Sequence, residues 1–333
     1  MLYIRTDMND VIATGHVMRC LAIADAAREI GENVTFLLAD ENAVSLISDR
    51  GYQFIVLNTS WNQMEEELEV LESVIKDNHI DKLLIDSYQV TEQYLYNLRK
   101  LVKIAYLDDG SACLYPVDLW ICYGSYWKEC DYKTRYSGTR LLLGLKYAPL
   151  RDVFCKVEIK DISTTVNNLL IMTGGTDRYN IVASLLDVIN RDMFEEINVI
   201  CGQYYKGYEM LCNKYQENKN IKIYKAINNI EEYMKKADVA ITAGGTTLYE
   251  LCAIGTPSIS VSFADNQIDN VLQFASDELI DYAGDVRRDN VTKNVLTYLD
   301  SFTKEKRYEC SRKMQELIDG LGAIRIAEEL LKL

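Results

Sequence analysis

The first half of the chain alternates short apolar runs with segments whose apolar residues recur at helical spacing. Runs of this kind predict buried β-strands, here Leu2–Arg5, Val34–Leu38, Phe54–Leu57, Leu83–Asp86, Ile104–Asp108 and Leu119–Cys122. Between the first two strands lies an apolar helical stripe that ends at Gly31, formed by Val17, Cys20, Leu21, Ala24 and Ala27. Because strands and helices alternate, we expect an α/β fold with a parallel, doubly wound sheet.

The second half repeats this scheme. Its predicted strands are Leu169–Met172, Ile197–Ile200, Ile221–Tyr224, Val239–Thr242 and Ser258–Val261, with helical patterns at 180–191, 207–217, 229–236 and 246–253 and amphipathic helices from residue 291. The stretch from Tyr147 to Thr165 carries Pro149 and mixed charges, as is typical of a domain junction. We therefore expect two Rossmann-like domains, residues 1–150 and 151–333, with a cleft between them.

Composition narrows the function and the expected cellular location. The formal net charge of −14 argues against a nucleic-acid partner or an anionic membrane surface, which need clustered Lys and Arg. The nine cysteines contain no CxxC pair and, with only two histidines, form no zinc-ligand pattern. The chain shows neither a signal peptide nor an apolar run long enough to span a bilayer. These features predict a cytoplasmic protein without membrane insertion.

The first candidate catalytic residue lies where the first predicted strand meets the first predicted helix. Gly15 forms a turn there, and His16, one of two histidines in the chain, follows it. On residue type alone, a polar residue that caps a helix is the favoured interpretation of His16. However, ligands of open α/β sheets bind at the carboxyl ends of strands, and histidine can move a proton near neutral pH. Together with a glycine motif far downstream, this position favours a catalytic role.

Two glycine pairs follow predicted strands in the second half. Gly174-Gly175 and Gly244-Gly245 each stand between a strand and a helix, where the backbone can approach an anion and the helix directs N–H groups at it. Neither pair belongs to a Walker loop or a GxGxxG fingerprint. Glu250, one helical turn beyond Thr246-Thr247, could accept hydrogen bonds from a ribose; alternatively it is a solvated helix carboxylate.

These motifs resemble a known superfamily. Gly244-Gly245-Thr246-Thr247-x-x-Glu250, followed by Gly255-x-Pro257, is similar to the nucleotide-binding half of the GT-B, MurG-like superfamily. Further segments resemble the UDP-sugar hydrolases of pseudaminic acid biosynthesis: Gly15-His16-Val17-Met18-Arg19-Cys20-Leu21, Asp86-Ser87-Tyr88, Leu143-Gly144-x-x-Tyr147-Ala148-x-Leu150-Arg151, Gly174-Gly175-x-Asp177 and Ala264-Asp265-Asn266-Gln267. The chain departs from that family at Ala13, where glycine is usual, and in the aromatic segment 112–140.

The resemblance implies a GT-B fold and an inverting hydrolase that releases UDP from UDP-2,4-diacetamido-2,4,6-trideoxy-β-L-altropyranose by attack of water at the anomeric carbon. His16 would be the general base. The implied sugar-binding residues are Gly15, Arg19, Tyr88, Asn266 and Gln267, and the implied UDP-binding residues are Gly174, Gly175, Gly244, Gly245, Thr246, Thr247 and Glu250. Neither a cofactor nor a metal is implied, although the carboxylates that could bind a metal are Asp7, Asp86, Asp108, Asp109 and Asp177.

Alternatives remain at two levels. Tyr88 could be an ordinary tyrosine at the rim of a site, and Asn266 and Gln267 could cap a helix. The whole protein could be a GT-B glycosyltransferase that passes the sugar to a hydroxyl group, or a non-catalytic nucleotide-sugar sensor or scaffold. A titratable group beside the sugar argues against the latter, because binding alone does not need one.

Overall fold

A computed structural model describes residues 1–107, 115–129 and 131–333. The chain divides into two compact units, the first formed by Met1–Asp152 with Gly320–Leu333 and the second by Val153–Asp319. The segment from Gly320 onward therefore belongs to the first unit, whereas the sequence pattern places it in the second. Asp108, Asp109, Cys113 and Cys130 lie outside the described residues.

The first unit contains a seven-stranded parallel sheet with the order β3-β2-β1-β4-β5-β6-β7. Its strands are β1 (Leu2–Thr6), β2 (Val34–Leu38), β3 (Gln53–Val56), β4 (Lys82–Asp86), β5 (Lys103–Leu107), β6 (Leu119–Cys122) and β7 (Arg140–Leu143). Its helices up to residue 152 are α1 (Gly15–Glu29), α2 (Val44–Ser48), α3 (Met64–Asp77), α4 (Glu92–Leu98) and α5 (Tyr132–Arg135). β1 and β6 are buried along their whole length, and β4 and β5 are buried except at their first residue, as in parallel sheets covered by helices on both faces.

The second unit contains a six-stranded parallel sheet with the order β10-β9-β8-β11-β12-β13. Its strands are β8 (Asn168–Met172), β9 (Glu196–Cys201), β10 (Ile221–Lys225), β11 (Val239–Ala243), β12 (Ser258–Ser262) and β13 (Asp281–Asp285). Its helices are α6 (Ile181–Val188), α7 (Tyr208–Tyr215), α8 (Ile230–Lys236), α9 (Thr246–Ile254), α10 (Asp265–Ser276), α11 (Val291–Ser301) and α12 (Lys304–Leu317). The sequence pattern misses β7, β13 and α10.

The last helix, α13 (Gly322–Leu330), packs against α1 in the first unit. Gly322 passes so close to Ala148 that a Cβ atom would lie 2.1 Å from the Ala148 carbonyl oxygen. Arg325 Nη1 donates to the carbonyl oxygen of Lys146 at 2.8 Å, and Arg140 pairs with Glu329. The C-terminal segment thus completes the core of the first unit.

Each sheet reverses its strand order once, between β1 and β4 in the first unit and between β8 and β11 in the second. The loops at the carboxyl ends of these strand pairs diverge and leave a crevice in which ligands of open α/β sheets bind. The structure therefore indicates one candidate crevice per unit.

Candidate active site

The crevice of the first unit contains a histidine bound to a buried carboxylate. His16 lies in the first turn of α1, which follows β1, and Asp86 is the last residue of β4. Because β1 and β4 pair with Thr6 opposite Asp86, the loop after β1 carries His16 over that carboxylate. His16 Nδ1 lies 2.6 Å from Asp86 Oδ1, and the histidine is only 3% exposed.

This contact assigns the histidine tautomer. A carboxylate only accepts hydrogen bonds, so Nδ1, at 2.6 Å from Asp86 Oδ1, carries the proton and donates to it, and Nε2 is left as an acceptor. Arg19 Nη2 also lies 3.0 Å from Nδ1, but because both nitrogens are then donors, this approach is not a hydrogen bond. Nε2 is buried and has no hydrogen-bond partner among the described residues. His16 thus presents a basic nitrogen whose orientation is set by Asp86.

Arg19, one turn further along α1, holds Asp86 in place. Its Nε donates to Asp86 Oδ2 at 2.7 Å and its Nη2 to Oδ1 at 2.5 Å, and its Nη1 donates to the Tyr123 hydroxyl at 2.6 Å. Burial by itself would raise the pKa of Asp86, but the charges of Arg19 and His16 outweigh it and hold the pKa well below its ordinary value. Asp86 is therefore a stable anion.

A pocket that we call the His16 pocket adjoins this pair. It is open to solvent and is lined by Asp7, Ile12, His16, Trp61, Asp86, Ser87, Tyr88 and Gln89. The Tyr88 ring packs edge-on against the His16 ring, with 4.3 Å between the ring centroids. The pocket therefore combines an aromatic wall with a base and two carboxylates.

Asp7, just beyond β1, is the second carboxylate of the pocket. Its Oδ2 accepts a hydrogen bond from Arg5 Nη1 at 2.5 Å and its Oδ1 accepts one from the Ala39 amide at 2.8 Å. Arg5 is buried and also pairs with Glu67 at 2.7 Å, whose other oxygen accepts the Tyr94 hydroxyl at 2.6 Å. Burial raises the pKa of Asp7, while the charge of Arg5 opposes that rise.

The loop that leads to His16 is held by a local turn. Asn9 Oδ1 accepts hydrogen bonds from the amides of Val11 and Ile12, at 2.9 and 3.0 Å. Ala13 has a φ of 57°, a left-handed conformation that favours glycine, and this is the position where the resembling family usually has glycine. The Ala13 side chain therefore adds backbone strain to this loop.

The crevice of the second unit is built from the two glycine pairs. Gly174-Gly175 follow β8 and Gly244-Gly245 follow β11, and a Cβ atom on Gly174 would lie 3.8 Å from the Ala243 Cβ. A Cβ atom on Gly244 would lie 2.2 Å from Val271 Cγ1, so only glycine fits there. The two loops therefore lie side by side at the reversal of strand order.

Helix α9 begins at this crevice. Gly245 is its N-cap residue and offers no side chain to the first amides, and Thr246 and Thr247 form its first turn. Glu250 lies one turn further on and is partly exposed. Gln267, in the first turn of α10, accepts the Phe263 amide at 2.9 Å, and its Nε2 would lie 3.9 Å from a Cβ atom on Gly245. This arrangement can receive an anion at the amino end of α9.

The structure thus brings together the predicted residues of each unit. Gly15, His16 and Tyr88 surround the first crevice, whereas Arg19 is not among the described residues that line the pocket and instead binds Asp86. In the second unit, Gly174, Gly175, Gly244, Gly245, Thr246, Thr247, Glu250, Asn266 and Gln267 follow β8, β11 and β12. The pairing of Asp86 with His16 and the place of Asp7 in the pocket escape sequence reasoning, because both depend on strand pairing.

The carboxylates considered as metal ligands contact other groups of the protein, in so far as they belong to the described residues. Asp177 accepts hydrogen bonds from the amides of Ile181 and Val182, at 2.9 and 3.0 Å, and so caps α6. Within residues 1–107, 115–129 and 131–333, no three His, Cys, Asp or Glu side chains are grouped as a metal site would require. No helix in the same part of the chain has the length and apolar character to cross a membrane.

Comparison with known proteins finds similarity to a glycosyltransferase domain family and to two longer proteins. Residues 169–318 match the glycosyltransferase family 28 C-terminal domain. An uncharacterised protein of Methanocaldococcus jannaschii is 30% identical over 268 residues, which are 76% of this chain and 54% of that protein. A Helicobacter pylori protein described as pseudaminic acid cytidylyltransferase and UDP-2,4-diacetamido-2,4,6-trideoxy-β-L-altropyranose hydrolase is 24% identical over 267 residues, which are 79% of this chain and 44% of that protein. The chain spans about half the length of these two relatives.

Among solved structures, the crystal structure of Acinetobacter baumannii MurG is similar along the whole chain. The TM-score is 0.72 at 12% sequence identity, and the match covers 100% of this chain and 99% of the other. Similarity at this level of identity shows a common fold.

Proposed function

We propose that this GT-B protein, whose second unit matches the glycosyltransferase family 28 C-terminal domain, hydrolyses a UDP-linked sugar, namely UDP-2,4-diacetamido-2,4,6-trideoxy-β-L-altropyranose. The products would be UDP and the free sugar, which pseudaminic acid biosynthesis consumes. The Helicobacter relative and the motifs around His16 and Asp86 support this substrate. The observation that carries the proposal is the His16–Asp86 pair, which leaves a buried Nε2 beside a pocket with no hydrogen-bond partner in the part of the chain that the structure describes.

We assign UDP to the second unit and the sugar to the first. The amino end of α9 at Gly244–Thr246 and the loop at Gly174-Gly175 would meet the negative charge of the diphosphate, and Glu250 would accept hydrogen bonds from the ribose. The sugar would lie in the His16 pocket beside Tyr88. Asn266 and Gln267, at the start of α10, would contact the bound substrate.

The reaction that we propose is a single displacement. A water molecule donates a hydrogen bond to His16 Nε2 and its oxygen attacks the anomeric carbon. The bond from that carbon to the UDP oxygen breaks, its electron pair leaves with UDP, and the water proton passes to Nε2. Asp86 stabilises the imidazolium that forms, because its negative charge lies against Nδ1. Attack opposite the leaving group inverts the anomeric centre.

A GT-B glycosyltransferase is the second candidate. The family 28 domain match and the likeness to MurG favour it. His16 would then remove a proton from an acceptor hydroxyl group, with the same nucleotide loops. The two candidates differ only in the nucleophile.

Turnover in water enriched in ¹⁸O, without any acceptor, separates these functions. Release of UDP with the label on the free sugar would show hydrolysis by cleavage at the anomeric carbon. Tight binding of UDP, together with no release of UDP from the UDP-sugar, would contradict the hydrolase. UDP release only after an acceptor is added would identify a transferase, and binding without turnover under either condition would identify a sensor.

The variant His16→Leu tests the role of the base. We expect turnover to fall by about 10²- to 10⁴-fold, the usual contribution of general base catalysis, while UDP affinity stays near the wild-type value. The measurements are steady-state kinetics and calorimetric titration with UDP. The matched control is His79→Asn at the other histidine, which is exposed and lies away from the pocket. Full activity of His16→Leu would remove His16 from the mechanism.

A further inference from the structure

We infer that the His16 pocket is a subsite for a sugar ring on which positive charge develops during the reaction, and that Asp7 supplies the opposing charge. This inference rests on the proposed function. A sugar that loses UDP passes through a transition state with oxocarbenium character, in which positive charge develops on the anomeric carbon and the ring oxygen. A pocket that holds the sugar gains rate if it meets that charge with a fixed carboxylate.

The buried charges around the pocket do not cancel. Among residues 1–107, 115–129 and 131–333, the groups concerned are three carboxylates, of Asp7, Glu67 and Asp86, and two guanidinium groups, of Arg5 and Arg19. One formal negative charge therefore remains when His16 is neutral. No lysine or arginine is among the described residues that line the pocket. The single charge of Arg5 is shared between Asp7 and Glu67.

Asp7 is the carboxylate that can act on a ligand. The charge of Asp86 is balanced by the guanidinium group of Arg19, whereas Asp7 shares the guanidinium group of Arg5 with Glu67. Glu67 is fully buried and does not line the pocket. Asp7 does line it, and hydrogen bonds from Arg5 and the Ala39 amide fix both of its oxygens. A carboxylate held in this way needs no reorganisation when charge develops nearby.

The walls of the pocket strengthen this electrostatic effect. Ile12, Trp61 and Tyr88 provide apolar surface, and charges interact more strongly where such surface excludes water. The same excess of negative charge repels a diphosphate. His16 Nε2, which is buried and has no hydrogen-bond partner within the described ranges, is the independent sign that this pocket receives a ligand.

A pair of ligands that differ in charge tests the inference without turnover. The probes are 2-acetamido-1,2-dideoxynojirimycin, whose ring nitrogen is protonated at neutral pH, and its uncharged analogue 2-acetamido-1,5-anhydro-2-deoxyglucitol. Each is titrated calorimetrically into the full-length wild-type protein saturated with UDP. We expect the cation to bind at least about tenfold more tightly than the neutral compound, a difference of about 1.4 kcal/mol. Equal affinity, including no measurable binding of either compound, would overturn the inference.

Asp7→Asn removes the charge at nearly constant volume. We expect this variant to lose the preference for the cation, and its kcat to fall by about 10- to 100-fold with little change in KM. The control is Asp25→Asn, which removes a carboxylate that binds Arg50 and Tyr52 in the same unit but does not line the pocket. If Asp7 acted in folding alone, Asp7→Asn would lower the melting temperature, but the folded variant would keep the wild-type preference for the cation, and that result would overturn the inference.

The two proposals fail in different ways. If the labelled-water experiment shows no hydrolysis but the wild-type protein prefers the cation, the subsite stands and the reaction must be reassigned. If hydrolysis occurs without any preference between the probes, the hydrolase stands and Asp7 is excluded as the source of charge.

Discussion

At the scale of single residues, the candidate site depends on the fixed negative charge of Asp86. Asp86 is enclosed by the protein, yet Arg19 contacts both of its oxygens and His16 donates to one of them. A buried carboxylate with such partners orients an imidazole and remains an anion when the imidazole takes up a proton. The three residues therefore act as one unit, in which Arg19 positions Asp86 and Asp86 positions His16.

The variant Asp86→Asn breaks this unit with a small change in shape. We expect it to lose about 3–5 kcal/mol of stability, because the buried guanidinium group of Arg19 loses its ion pair with Asp86. Turnover should fall as well, since an amide no longer dictates which nitrogen of His16 carries the proton. Urea denaturation at pH 7 and kinetics measure the two effects, with Asp25→Asn as the control for loss of a surface-accessible ion pair. Wild-type stability of Asp86→Asn would contradict the charge assignment.

We also expect the difference in stability between the wild-type protein and Asp86→Asn to depend on pH. The pKa of Asp86 is lower in the folded than in the unfolded protein, where it is near the ordinary value of 3.8. The unfolded chain therefore binds the proton first as pH falls, so the stabilisation from Asp86 is complete above about pH 5 and is lost progressively as the pH falls through the unfolded pKa and towards the folded one. We expect the difference in stability between wild type and Asp86→Asn to shrink as the pH is lowered from 5 to 3, a range about the unfolded pKa.

At the scale of secondary structure, apolar runs predicted most strands, and the exceptions have a physical cause. β13 reads Asp-Tyr-Ala-Gly-Asp and lies at the edge of its sheet, so only one neighbouring strand and few apolar side chains mark it. β7, Arg140–Leu143, is likewise an edge strand and follows an aromatic segment without clear periodicity. Edge strands carry a weaker pattern because less of their surface is buried.

The glycine turn before α9 gives a matched pair of variants. In Gly244→Ala the new Cβ would overlap Val271 Cγ1 at 2.2 Å, whereas in Gly245→Ala the nearest atom would be Gln267 Nε2 at 3.9 Å. We expect Gly244→Ala to lose about 1–3 kcal/mol of stability through overpacking and to bind UDP weakly. Gly245→Ala should fold like the wild-type protein, so any loss of UDP affinity there would reflect contact with the ligand.

Calorimetric titration with UDP and thermal unfolding together decide the outcome. Unchanged stability in both variants would mean that the turn has more room than the structure shows. Unchanged UDP affinity in both would remove this turn from the nucleotide site.

At the scale of the whole molecule, the predicted GT-B fold class was confirmed by the two parallel sheets and the likeness to MurG. The histidine and glycine motifs predicted which loops form the candidate site, because each motif follows a strand and the fold class implies the order of the strands in the sheet. The pairing of His16 with Asp86 could not be predicted, since the two residues are 70 positions apart and meet only through the register of β1 with β4. The place of α13 escaped for the same reason, because an amphipathic helix does not specify the surface that it covers.

The assignment of α13 to the first unit can be tested by asking which of the two sheets a substitution in α13 destabilises. Ile326 is fully buried on α13, while Glu328 on the same helix is exposed. Ile326→Ala should cost about 2–5 kcal/mol, because it deletes buried methyl groups and leaves a cavity. Glu328→Ala should cost little.

Amide hydrogen exchange then reports which sheet loses protection in Ile326→Ala. Because α13 packs on α1, exchange should quicken in β1–β7 and stay unchanged in β8–β13, and UDP should bind the second unit as before. Faster exchange confined to β8–β13 would place the C-terminal helix in the second unit instead. Faster exchange in both sheets would mean that the two units unfold together, in which case the C-terminal segment would couple the proposed sugar pocket to the proposed nucleotide site.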